Sequence, residues 1–588
     1  MVPLADNAYF LPEVTKKSAR EVFRVWCRTC ILAIVACQLW VGRFAFDADG
    51  TAYVDVARAW LRGDWLHALN PYWSPFYIWL LSAALAVFHP LPYWELPLIH
   101  AVNFIEFIAA FAAWEWLTAE WERWQGPPAY PMLADVTGYC VVLWAGLRLT
   151  DLWVFNNADT SVMALLIAAT AILIHVRRGV SRNRDFVLLG IVLGTGFLAK
   201  TAFAAVIPVF IVALALLLRR WLDRGILITA LMTCAVIIPF VAAISIANGR
   251  FTIGDSGRLN YSWHVTGISV EGYKENAYSP GPEIQHPFNV LMQHPRVLSF
   301  NQHVVGTYPV HSDVSWWCAG YPVRFDKARQ LMILRSDILF SIYAFRCPAI
   351  FLLFLGLAYD ASGVARRFAQ AWFIWAPALF LAVTYLPVYS DYRYLAGSYA
   401  LIGFALVAAA RQVRVPPQIA RISTWAIPFL TAVFLMGGSF RHMLPQLVGE
   451  VIGKRPPLNY ENVQIAETML RKGLKPGDRV AYIGFELGAI HVGLERAHIV
   501  AVVPERVTHD DKVRGRPYVF TFPKPDEFWR SSPQTKQRVF DSFRSVGAKW
   551  VFADTVPKWA DISGWQAAGG SRELRETDRP HTYFRKLQ

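Results

Sequence analysis

The residues best placed to do chemistry are acidic and stand at the end of an apolar run. Asp47-Ala48-Asp49-Gly50-Thr51-Ala52-Tyr53 follows the first stretch long enough to cross a membrane, and Trp73-Ser74-Pro75 comes shortly after it. Two carboxylates at a membrane surface, in a chain otherwise suited to lipid, point to chemistry at the water–lipid boundary. Further charged residues mark the ends of other apolar runs: Arg148, Asp151, Asp159, Lys200, Asp391 and Arg393. A single charge at such a place is usually a solvated span end. Convergence from five separate segments favours a site.

Composition says what must position these groups. The 588 residues are 55% hydrophobic and 17% charged, with 24 Trp, which excludes an ordinary soluble globular protein and predicts a polytopic membrane protein. The net charge of +14 does not indicate nucleic-acid binding. Basic residues fall in short clusters between apolar runs, among them Lys16, Lys17, Arg20 and Arg24; Arg177, Arg178, Arg182 and Arg184; and Arg411, Arg414 and Arg421. That is the positive-inside pattern. The seven cysteines are scattered, and Cys27-x-x-Cys30 has no second pair to complete a zinc site.

A span needs about 20 apolar residues. Eleven are expected, at 25–45, 93–118, 132–149, 158–176, 186–199, 202–218, 225–247, 343–360, 369–387, 394–410 and 422–440, with a partial one at 73–89. The first is read as a retained signal anchor. With every basic cluster inside, the N-terminus is cytoplasmic. The loop 46–92, the turn at 150–157, the segment 248–342 and the C-terminus then lie outside. The charged groups named above gather on that outer side. Glu106, with Asn103, lies inside a span, where an ionised carboxylate costs about 3 kcal/mol; a paired or protonated structural group facing the interior is expected there.

Residues 1–440 therefore form a membrane module, and 441–588 a small soluble α/β domain outside. In the tail, strand-like runs at 479–483, 499–503 and 550–553 alternate with helical patterns at 461–472 and 533–546. Gly484-Phe485-Glu486-Leu487-Gly488 is too weak for a nucleotide motif, so a docking or acceptor-guiding role is the default. The segment 248–342 is rich in aromatic and polar residues, including Asn260, Tyr261, Trp263, His264, His303, His311 and Asp313. Such a mixture suits a cover over a sugar or a packed external loop.

Asp49-x-x-x-Tyr53, Asn157-Ala158-Asp159, Gly194-x-Gly196-Phe197-Leu198-Ala199-Lys200 and Tyr392-Arg393-Tyr394-Leu395 together resemble the GT-C glycosyltransferases. Within that group the chain is most similar to the protein mannosyltransferases of glycosyltransferase family 39 and the aminoarabinose lipid A transferases. The resemblance runs in order through residues 25–410 and implies a mostly α, polytopic GT-C fold. It also implies that Asp49 is the catalytic carboxylate, with Asp47 as its rival. Two departures stand out. Gly50 replaces the usual second acid, and Trp73-Ser74-Pro75-Phe76 stands where the aminoarabinose transferases carry a Lys-Pro-Pro-Leu phosphate contact. Trp316-Trp317-Cys318-Ala319-Gly320 lacks the aspartate of the oligosaccharyltransferase acceptor motif and is not assigned to it.

The resemblance implies transfer of a sugar from a polyprenyl-phosphate donor to an acceptor hydroxyl on a glycan, lipid or protein, at the outer face of a plasma (inner) membrane. A phosphate leaving group needs little protonation, so one general base suffices, and attack from the opposite face inverts the anomeric centre. On this reading Asp49 is the base. Lys200, Arg393 and Tyr394 bind the donor phosphate, and Asp159, Tyr53 and His264 shape the site. No cofactor is required, and a divalent cation on Asp49 and Asp159 is optional. The competing readings are a lipid or glycan flippase and a GT-C-like protein that binds without turnover. A flippase would place its polar residues near the bilayer midplane, often with internal repeats.

Overall fold

The computed structural model describes residues 13–151, 154, 156–265, 289–300, 306–313, 325–436, 440–504, 526–554, 556–570 and 581–587. His303 and the Trp316–Gly320 motif lie outside these residues. Nine helices among them are long and apolar enough to cross a membrane, from Ala19–Val41 to Pro417–Leu435. The chain is a multi-pass membrane protein. Two expected spans fall on shorter helices, Asn183–Ala199 and Trp372–Tyr385. The 73–89 segment is the 14-residue helix Pro75–Phe88. At 1.5 Å per residue it is about 21 Å long, short of a hydrocarbon core of about 30 Å.

The span expected at 343–360 begins and ends later than its hydropathy suggests. Pro348 starts a new helix, Ala349–Gln370, separate from Lys327–Ala344. This helix runs on past a kink at Asp360 to Arg367, whose guanidinium donates to Asp360 Oδ2 at 2.9 Å and to the Ala409 carbonyl at 2.7 Å. Internal pairing makes charge tolerable where hydropathy alone would stop the helix.

Helices Pro92–Gln125, Asp159–Arg177 and Tyr392–Ala410 form the centre, with Phe107, Leu166, Ile167, Leu401 and Phe404 buried. Peripheral helices instead expose large apolar side chains, such as Leu231, Ile238, Trp425 and Phe429. An apolar exterior is what a lipid solvent demands. At one end of the bundle, three arginines from two well-separated basic clusters meet two acids. Arg20 donates to Asp135 at 2.7 Å, Arg24 to Glu122 at 3.0 Å, and Arg411 lies 3.5 Å from Glu122. The basic clusters at 16–24 and 411–421 therefore share one end, as the positive-inside pattern requires.

A seven-stranded sheet completes the fold: β1 Asn289–Gln293, β2 Arg296–Ser299, β3 Arg479–Gly484, β4 His498–Pro504, β5 Trp550–Ala553, β6 Gln566–Gly570 and β7 His581–Lys586. Its order is β1-β2-β4-β3-β5-β7-β6. The central strands β4, β3 and β5 are parallel and the outer pairings antiparallel. The three strand-like runs and two helical patterns read from the tail coincide with β3, β4 and β5 and with helices Glu461–Arg471 and Pro533–Ser545. The sheet is not confined to the tail, because the β1–β2 hairpin comes from the 248–342 segment and pairs through Leu298 and Ser299 with β4.

Candidate active site

The helix Ala48–Arg62 starts where it does because Asp47 caps it: the Asp47 Oδ1 accepts from the Gly50 amide at 3.2 Å. The same oxygen accepts from the Asn156 amide at 3.3 Å, which ties the helix start to the 150–158 turn. Beneath lies a buried polar relay. Tyr77 donates to Asn103 at 2.7 Å, and the Asn103 amide donates to Asn156 Oδ1 at 3.0 Å. Gly50 is required by this packing. A Cβ there would stand 2.9 Å from both Asp47 Oδ1 and the Phe46 ring, and 3.0 Å from Asn156 Cβ. A longer side chain at position 50 has no room here.

Three other helix ends deliver the remaining groups. Asn157 Oδ1 accepts from the Asp159 amide at 2.9 Å, setting the start of Asp159–Arg177. Lys200 adopts an extended conformation between the helix Asn183–Ala199 and the 3-10 turn Thr201–Ala205. Gly196 permits that sharp turn, since a Cβ there would lie 2.6 Å from the Phe203 ring. Asp391 caps Tyr392–Ala410 by accepting from the Arg393 amide at 3.2 Å.

These ends converge on a cavity of about 370 Å³ whose walls include Asp49, Tyr53, Tyr72, Trp73, Asn157, Asp159, Lys200, Asn260, Tyr385, Tyr389, Arg393 and Tyr394. Arg393 Nη2 donates to Asp49 Oδ2 at 3.0 Å, and its Nε stands 3.8 Å from Asp159 Oδ2. Lys200 pairs with Asp159 Oδ1 and lies 3.6 Å from the centre of the Tyr394 ring. The Asp49 side chain is 38% exposed and that of Asp159 only 3%. Asp49 thus faces the open cavity, whereas Asp159 serves as the buried counter-charge of two cations. Burial pulls Lys200 below the usual lysine range, against the charge of Asp159.

Three buried polar atoms on the cavity wall have no hydrogen-bond partner among the described residues: Asp159 Oδ2, Asn157 Nδ2 and the Tyr385 hydroxyl. Buried polar groups are ordinarily satisfied, so these atoms suit a ligand. A divalent cation fits poorly. Among the described residues no three His, Cys, Asp or Glu side chains converge, and both candidate carboxylates face the Arg393 guanidinium.

Of the residues singled out from sequence, Asp49, Tyr53, Asp159, Lys200, Arg393 and Tyr394 all line the cavity. Asp47 does not; it is the cap beneath. His264 also stands outside the lining, its ring stacked on Tyr389 with centroids 4.1 Å apart. Arg148 lies over the Tyr392 ring at 5.0 Å, and Glu106 is buried and accepts from Ser161. Tyr72, Tyr385 and Tyr389 escaped sequence reasoning, because aromatic residues at span ends look like interfacial anchors.

No protein-family model matches the sequence, and a search of curated proteins finds no match. Solved structures do match. One is ArnT from Cupriavidus metallidurans bound to undecaprenyl phosphate, 11% identical over 95% of this chain and 97% of that one, with a TM-score of 0.50. The apo state of the same ArnT gives 12% identity and a TM-score of 0.46. The Archaeoglobus fulgidus oligosaccharyltransferase in complex with zinc and sulfate gives 12% over 89% of this chain and 68% of that one, at 0.42. With nearly the full length of both chains aligned in the first comparison, this protein shares the fold of that ArnT.

Proposed function

We propose that the protein transfers a sugar from a polyprenyl-phosphate donor to an acceptor hydroxyl, with inversion, at the outer face of a plasma (inner) membrane. The observation that carries this reading is one cavity in which an accessible carboxylate, Asp49, stands beside two cations, Arg393 and Lys200. The solved ArnT of the same fold binds undecaprenyl phosphate, the lipid class the donor would carry.

Arg393 and Lys200 hold the donor phosphate and take up the charge that grows on it as the glycosidic bond breaks, Arg393 by its planar fork and Lys200 as a point charge. Asp159 keeps both in place from behind. A phosphate entering the cavity competes with Asp49 for Arg393 and leaves Asp49 free to accept the proton of the attacking hydroxyl. Tyr53, Tyr72 and Trp73 border the carboxylate, with Tyr53 and Trp73 edge to face at 5.0 Å, and supply ring faces for a sugar. The basic end of the bundle lies on the cytoplasmic side, and the sheet domain lies outside.

Transfer of radiolabelled sugar from polyprenyl-phosphate donors in isolated membranes tests this. Asp49→Asn lowers transfer by about 100-fold or more at unchanged expression. Full activity in that variant would remove Asp49 as the base, and absence of turnover by the parent across a broad sugar panel would favour binding or transport.

A further inference from the structure

A second cavity, of about 300 Å³, lies at the sheet, separate from the first. Among the parallel strands, the chain goes from β3 to β4 on one side and then returns to β5 on the other. That reversal opens a crevice beyond the carboxyl ends of the strands, where open parallel sheets bind ligands. Phe485, just after β3, and Asp554, just after β5, both line the cavity. Phe44 and Phe46, from the segment leading to Asp49, form another part of the wall.

The polar groups there are set for a ligand. Asp554 accepts from the Tyr482 hydroxyl at 3.1 Å and the Phe485 amide at 3.0 Å, and a carboxylate retains further acceptor capacity beyond two such bonds. His491 is 2% exposed and lines the cavity; its Nδ1 pairs with Glu495 at 3.0 Å, while its Nε2 has no hydrogen-bond partner among the described residues. Among the described residues the lining includes Asp554 and Glu461 but no Lys or Arg, which disfavours a phosphate. Phenylalanine rings beside carboxylate and amide groups suit a ring with an apolar face and several hydroxyls. The volume is at the lower end of small-molecule pockets, about 300–1,000 Å³.

We propose that this cavity is a saccharide-binding site that takes a neutral sugar unit of a glycan. The segment 44–49 borders both cavities, Phe44 and Phe46 at this one and Asp49 at the first, so a sugar held here sits next to the element that carries Asp49.

Saturation-transfer NMR on the full-length protein in detergent tests it, with the methyl glycosides of glucose, galactose, mannose and N-acetylglucosamine as probes. At least one glycoside gives a signal, which falls about ten-fold in Asp554→Asn and in Asn462→Ala and persists in Asp49→Asn. Asn462 is half-buried and outside the sheet, so its variant keeps the test open should Asp554→Asn fail to fold. No signal from any of the four, a signal untouched by both variants, or one abolished by Asp49→Asn overturns the proposal. Binding is read rather than turnover, so the outcome is independent of the transfer reaction at the first cavity.

Discussion

Arg393 Nη2 donates to Asp49 Oδ2 at 3.0 Å across 344 positions of chain. Each residue sits in the first turn of its helix, and each helix is capped by an aspartate, Asp391 and Asp47. Two short sequence motifs thereby become one charged pair whose geometry is fixed by two caps. Its accessible partner is the carboxylate, which is the arrangement a base beside an anion-binding group needs.

Replacing Arg393 separates charge from geometry. Arg393→Lys keeps the charge and loses the planar fork, and is expected to lower kcat/KM for the donor about 10-fold; Arg393→Ala should lower it about 100-fold or more. Equal activity of both variants and the parent would take Arg393 out of donor binding.

Asp47 and Asp49 differ in what they do, and pH distinguishes them. Burial, with the Asp49 charge beside it, pushes the Asp47 carboxyl up to about 7. A raised carboxyl is protonated more readily in the folded chain than in the unfolded one. Its contribution to stability is therefore fully present below an unfolded value of about 4 and is lost as pH rises through about 7. Asp47→Asn mimics the protonated form and keeps an Oδ1 acceptor for the cap. Its Tm relative to the parent should rise between about pH 4 and about pH 8, with transfer within a few-fold of the parent. A loss of transfer as large as that of Asp49→Asn would move the base to Asp47.

Gly50→Ala places a Cβ against Asp47, Phe46 and Asn156 at once. Overpacking of this kind costs about 1–3 kcal/mol, so thermal unfolding in detergent should show a lower Tm, with reduced transfer. An unchanged Tm would mean that the helix start shifts freely and that the cap is not rigid.

Lys200 and Asp159 should behave as a unit. Lys200→Met leaves Asp159 without its close partner, and Asp159→Asn leaves Lys200 so; the double variant should be less destabilised than the sum of the singles, with a coupling of about 1–3 kcal/mol. Additive effects on Tm and transfer would show that the pair is not coupled.

Hydropathy and charge alone determined the membrane class, most of the helices and the ends of the chain's basic clusters, because lipid imposes a long apolar run on every crossing. The tail's parallel strands were legible for a similar reason: strands buried on both faces read as short apolar runs, as in Ile499–Val503. The β1–β2 hairpin was not, since its partner β4 lies about two hundred residues away and a single sequence records no pairing. At the site, sequence offered Asp49, Asp159, Lys200 and Arg393 as charged residues at apolar boundaries, and a family likeness ranked them. Only the tertiary structure decided which aspartate is a cap and which faces the cavity, since Asp47 and Asp49 are two residues apart with the same chemistry. Their hydrogen-bond partners separate them: Asn156 holds Asp47 and Arg393 holds Asp49, and each reaches the pair from another helix or turn of the fold.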